Sequence, residues 1–118
     1  MTTVLLVADD DPTVRAIVSA TVALDEFTVL QAADGDEAWA LIQQHHPAIV
    51  LLDVNMPGRD GLMITRALKT DPTTAGTKVV LLTGRGMDSD VDAGRAAGAD
   101  HYLVKPFSPL ELLRIVAP

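Results

Sequence analysis

Five short apolar runs, at Val4–Val7, Thr28–Gln31, Ile49–Leu52, Val79–Leu82 and Tyr102–Val104, constrain the fold of this chain more than any other feature. Each is close to continuously apolar and rich in Val, Leu and Ile. That pattern belongs to strands covered on both faces, hence to a parallel sheet between layers of helix. The segments between the runs carry helix-start chemistry. Asp11-Pro12 supplies a cap followed by proline at the first helical position. Asp34 with Glu37, and Ser108 with Glu111, have the spacing of capping boxes. Gly98 after Ala96-Ala97 reads as a helix-terminating glycine. The fourth helix, expected around 91–97, is the weakest, because Gly94 in a helix interior costs ~1 kcal/mol relative to alanine. Five strand–helix units make a doubly wound α/β domain, expected to occupy residues 1–118 as one unit.

The 118 residues, with 48% hydrophobic side chains, suffice for one sizeable core. The absence of cysteine excludes disulfides and thiolate metal sites, and with no signal peptide it leads us to expect a cytoplasmic protein. The apolar runs are too short to span a membrane. A net charge of −7 opposes direct binding to nucleic acid and suits a cation or a basic partner.

Open parallel sheets bind ligands beyond the carboxyl ends of their strands. The first run here ends in Asp9-Asp10-Asp11, the third in Asp53, the fourth in Thr83-Gly84 and the fifth in Lys105-Pro106. Clustered carboxylates repel one another, and a hard divalent cation removes that penalty. All-oxygen ligands select Mg²⁺, Mn²⁺ or Ca²⁺ over Zn²⁺. Lys105 then offers a point positive charge and Thr83 a hydroxyl, bracketing a tetrahedral anion on Asp53. Such an arrangement suits phosphoryl transfer, where catalysis is mostly positioning and charge neutralisation.

These residues, with Leu5-Leu6-Val7-Ala8-Asp9-Asp10-Asp11-Pro12, Asp53-Val54-Asn55-Met56-Pro57-Gly58-Arg59-Asp60-Gly61, Leu82-Thr83-Gly84, Gly98-Ala99-Asp100 and Tyr102-Leu103-Val104-Lys105-Pro106-Phe107, run in an order and spacing that resembles the receiver (CheY-like) domain of two-component response regulators. The resemblance implies a flavodoxin-like (βα)5 domain whose parallel five-stranded sheet has the order 2-1-3-4-5. It implies Asp53 as phosphoacceptor from a phosphohistidine on a sensor histidine kinase or phosphotransfer protein. Asp10 is implied as a direct Mg²⁺ ligand, with Mn²⁺ able to substitute, Asp9 as its neighbour holding a metal-bound water or as a second ligand, Asp53 as a further ligand, and Asn55 as a backbone-carbonyl ligand. Thr83 and Lys105 are implied to bind phosphate oxygens. Thr83 and Tyr102 are the implied switch, and a cis Lys105–Pro106 bond is the implied means of aiming the lysine. Relatives use the face made by the fourth helix, fifth strand and fifth helix for dimerisation or for docking a partner or output domain.

Plainer roles are expected elsewhere. Asp11 is a helix cap, Met56 and Pro57 shape the loop, and His45 and His46 close a helix. His101 and Trp39 are assigned no role. Arg85 and Asn55 stand where they affect access of water to the phosphoryl group, and Gly84, Gly86 and Gly94 make their loop and helix plausible moving parts. A haloacid-dehalogenase-like phosphatase would place its nucleophile after the first strand, with an acid two residues later. Here Asp53 follows the third run and Asn55 fills the second position. The remaining alternative is a pseudo-receiver, an interaction module that is not phosphorylated. Neither the cognate kinase nor the output is expected to be legible in this sequence.

Overall fold

The computed structural model describes residues 3–23, 27–84 and 88–117, with 88–91 described by backbone alone. Strands β1 (Thr3–Ala8), β2 (Phe27–Ala32), β3 (Ile49–Asp53), β4 (Lys78–Thr83) and β5 (His101–Val104) alternate with helices α1 (Pro12–Val22), α2 (Gly35–His45), α3 (Gly61–Thr70), α4 (Asp88–Ala97) and α5 (Pro109–Val116). All strand pairs are parallel, in the order β2-β1-β3-β4-β5. The implied topology is therefore the observed one.

Successive strand residues feed opposite faces of the sheet. Leu6, Ala8, Val50, Leu52, Val79 and Leu81 join Ala38, Ile42, Ile64 and Leu68 in one core, beneath α2 and α3. Leu5, Val7, Leu51, Val80, Leu82 and Leu103 join Val18, Val22, Leu112 and Val116 in the other, beneath α1 and α5. In this alternation Asp53 is in phase with Leu51, and Thr83 with Leu81.

The helix starts follow their sequence signals. Asp11 caps α1 through the Thr13 N–H, and Ser108 with Glu111 forms a complete capping box on α5. Asp34 caps α2, but the Glu37 carboxylate accepts from the Ala33 N–H at 2.7 Å, one residue earlier than a capping box requires. Helix α4 is longer than expected, starting at Asp88. Its Gly94 has a packing reason. A Cβ there would stand 2.6 Å from Leu81 Cδ1 and 2.8 Å from Tyr102 Cε1, so the close seat of α4 on the sheet requires glycine. Gly98 has φ +98° and closes the helix as expected.

Candidate functional site

Because β1 and β3 are neighbours in register, their carboxyl ends deliver Asp9 and Asp53 to one rim. Asp9 is fully buried. Its N–H donates to the Ala32 carbonyl at 3.1 Å, and its Oδ1 accepts from the Asp11 N–H at 2.9 Å. Asp53 is 6% exposed, and its Oδ1 accepts from the Asn55 N–H at 3.1 Å. Lys105 follows β5, where its N–H donates to the Thr83 carbonyl at 2.7 Å and its bond to Pro106 is cis. The Lys105 ammonium reaches both acids, 2.7 Å from Asp9 Oδ2 and 3.3 Å from Asp53 Oδ2.

Two buried carboxylates and one cation leave excess negative charge. Burial pushes the Asp53 carboxyl from 3.8 up to about 6, opposed by the Asn55 N–H, reinforced by the Asp9 charge and opposed again by Lys105. Burial alone would lower the Lys105 ammonium, but its bond to Asp9 and the charges of Asp53 and Asp9 outweigh this, and its pKa is raised. Carboxylate oxygens of Asp9, Asp10 and Asp53 lie within 4.8 Å of one another, with Asp10 exposed at the rim. That donor set, oxygen-only and over-negative, fits a hard divalent cation.

Thr83 is buried at the end of β4, and Tyr102 is half-buried on β5. Neither the Thr83 hydroxyl nor the Tyr102 hydroxyl, both buried, has a hydrogen-bond partner among the described residues. Burial raises the Tyr102 pKa against the Arg95 cation, which lies 5.9 Å from the ring centroid. Val104 and Leu110 expose apolar surface close by in sequence, on β5 and α5. Arg85 and Gly86 lie outside the described residues.

Four contacts are not signalled by the sequence pattern. The Arg15 guanidinium donates to the Asp9 main-chain carbonyl at 2.7 Å, bracing the acidic turn from α1. The sequence shows there only a basic residue one helical turn after Asp11. Arg59, in the loop after Asp53, lies over the Trp39 ring at 5.0 Å and 4.0 Å from Asp36 Oδ1. That loop also accepts a hydrogen bond at Pro57 from the Gly35 N–H, 3.0 Å.

The model of the response regulator receiver domain family matches residues 5–117. The chain belongs to this family. Response regulator Rre1 of Synechocystis sp. is 42% identical over 113 residues, covering 95% of this chain and 49% of the relative. The phosphate regulon transcriptional regulatory protein PhoB of Pseudomonas aeruginosa is 33% identical, covering 92% of this chain and 48% of its own length. The receiver chain thus spans about half the length of these curated relatives. Among solved structures, a putative response regulator from Chloroflexus aurantiacus superposes with TM-score 0.91 at 35% identity, covering 97% of this chain and 93% of that one. Chemotaxis response regulator CheY4 of Vibrio cholerae superposes with TM-score 0.88 at 33% identity, covering 97% and 95%. Receiver domains are regulatory modules of two-component systems, and no helix among the described residues is long and apolar enough to cross a membrane.

Proposed function

We propose that this receiver domain accepts a phosphoryl group on Asp53 from a phosphohistidine of a sensor histidine kinase or phosphotransfer protein. The observation that carries the reading is the Lys105 ammonium bridging the buried Asp9 and Asp53 carboxylates. A buried acid pair is costly unless its charge is used or neutralised. An Asp53 oxygen bonds to phosphorus as the phosphorus–nitrogen bond breaks, leaving neutral histidine on the donor once it takes up a proton. Lys105 and the Thr83 hydroxyl hold the phosphoryl oxygens as charge redistributes. Asp9, Asp10, Asp53 and the Asn55 carbonyl would hold Mg²⁺ or Mn²⁺, which would supply charge neutralisation and alignment when bound.

The unpartnered Thr83 hydroxyl, with Tyr102 on the adjoining strand β5, supports a switch. A new acceptor on Asp53 gives Thr83 a partner, Tyr102 moves into the space it leaves, and a pre-existing equilibrium shifts. The surface of α4, β5 and α5, with Val104 and Leu110 exposed, then changes its affinity for a partner, an output domain or a second copy. The domain itself does not bind nucleic acid, consistent with its net charge of −7. A cytoplasmic location belongs to the same reading, as does a regulatory rather than enzymatic role.

Intact mass after incubation with Mg²⁺ and a small phosphodonor tests this. One added phosphoryl group is expected, abolished by Asp53→Ala and by chelation. Failure to gain mass with several donors and an intact fold would leave an unphosphorylated interaction module.

A further inference from the structure

The loop after Asp53 is fastened to the first turns of α2 by contacts that the phosphoryl-transfer reading does not use. The Gly35 N–H holds the Pro57 carbonyl, 3.0 Å. A Cβ on Gly35 would lie 1.5 Å from the Arg59 carbonyl oxygen, so the two backbones touch there. Gly58 adopts φ +76° and packs against the Asp36 carboxylate. The Arg59 guanidinium then closes over Trp39 at 5.0 Å, within cation–π range, and approaches Asp36 at 4.0 Å. At its start the loop is held by Val54 N–H to the Leu82 carbonyl and Asn55 N–H to Asp53 Oδ1. At its end Asp60 caps α3. The α2 contacts therefore fix the stretch between these two anchors, on which the direction of the Asn55 carbonyl depends.

We infer that Trp39 and Arg59 form a latch, with Arg59 a positioning residue that holds the loop after Asp53 in the conformation that binds the divalent cation. The inference rests on the metal site proposed above. It makes Trp39, the only tryptophan of the chain, a reporter of that site. The sign of the effect separates the latch from simple electrostatics. Arg59 is a cation on the loop that carries Asn55, so removing its charge alone would leave Mg²⁺ binding unchanged or tighten it. Loss of the latch loosens binding, because the site must then be ordered at the moment the cation arrives.

The experiment is calorimetric titration of Mg²⁺ into the parent protein, Arg59→Ala and Arg59→Lys, with Trp39 emission recorded alongside. Arg59 is half exposed, so these variants are expected to keep the fold, which circular dichroism checks. The latch predicts a three- to tenfold weaker Mg²⁺ affinity for Arg59→Ala, recovery of only part of that loss in Arg59→Lys, whose ammonium can face the ring but not stack on it, and loss of the Mg²⁺-dependent change in Trp39 emission in the alanine variant. Parent-like or tighter binding by Arg59→Ala overturns the latch while leaving the metal site standing. A parent protein that binds no Mg²⁺ overturns the metal site, and the latch with it.

Discussion

The Lys105 ammonium lies 2.7 Å from the carboxylate of Asp9, a side chain with no solvent exposure at all. Removing one partner of a buried pair strands the other charge, which typically costs ~3–5 kcal/mol. Lys105 keeps 26% of its side chain in solvent, so the loss here is smaller. Lys105→Met is expected to destabilise the chelated protein by about 2–3 kcal/mol in urea titrations. Saturating Mg²⁺ should restore part of that loss, because it supplies the missing positive charge.

Asp53 gives the opposite sign. Its carboxyl is raised from 3.8 to about 6, so the folded protein binds this proton more tightly than the unfolded chain does. Stability from this group is therefore fully present below about pH 4 and declines as pH rises through about 6. The stability lost between those limits amounts to about 3 kcal/mol once the carboxyl is fully ionised. Asp53→Asn removes the charge but also weakens the Lys105 contact. We expect it to stabilise the metal-free protein by about 1–3 kcal/mol near pH 8, with the gain closing toward pH 4. Urea midpoints in chelator across that range measure it.

Two glycines with contrasting surroundings form a matched pair. Gly35→Ala sets a methyl carbon 1.5 Å from the Arg59 carbonyl oxygen, which is backbone and must move bodily. A loss of about 3 kcal/mol is expected, at the upper end of overpacking costs. Gly76→Ala meets nothing within 4 Å and is expected to be neutral or to gain up to ~1 kcal/mol by restricting the unfolded chain. Thermal melts of the two variants side by side provide the comparison.

Tyr102 is the only tyrosine in the chain, so phenolate absorbance during a pH titration reports on it alone. In the parent protein it should titrate above 10, burial outweighing the Arg95 cation. Gly94→Ala places a methyl group 2.8 Å from Tyr102 Cε1 and forces the ring to give way. The variant's tyrosine is expected to titrate closer to 10. An unchanged titration would show that the ring and α4 accommodate the methyl without exposing the phenol.

Much of this was legible because it rests on local chemistry. Strand positions follow from apolar runs, and the caps at Asp11 and Ser108 follow from side chains that reach their own backbone. The acids and Lys105 were legible because a parallel sheet brings strand ends to one rim. Contacts fixed by tertiary packing were not. Trp39 and Arg59 meet only because α2 abuts the loop after β3, which neither segment's own pattern reveals. Gly94 illustrates the limit from the other side. Helix propensity registers its cost, while its reason, the nearness of Leu81 and Tyr102, lies on other elements. Arg15 looks like an ordinary helix residue until its guanidinium is seen on the Asp9 carbonyl.

The alternation along β3 and β4 has a consequence for how such a domain can diversify. Asp53 stands in phase with the core under α1 and α5, and Thr83 with the core under α2 and α3. The sheet is thus a bulkhead between two compartments, one tied to the acid that would receive the signal and one to the hydroxyl that would pass it on. A substitution packed under α2 and α3 therefore reaches the rim from the hydroxyl's side of the sheet, and one packed under α1 and α5 from the acid's side, so the two layers can vary by different routes.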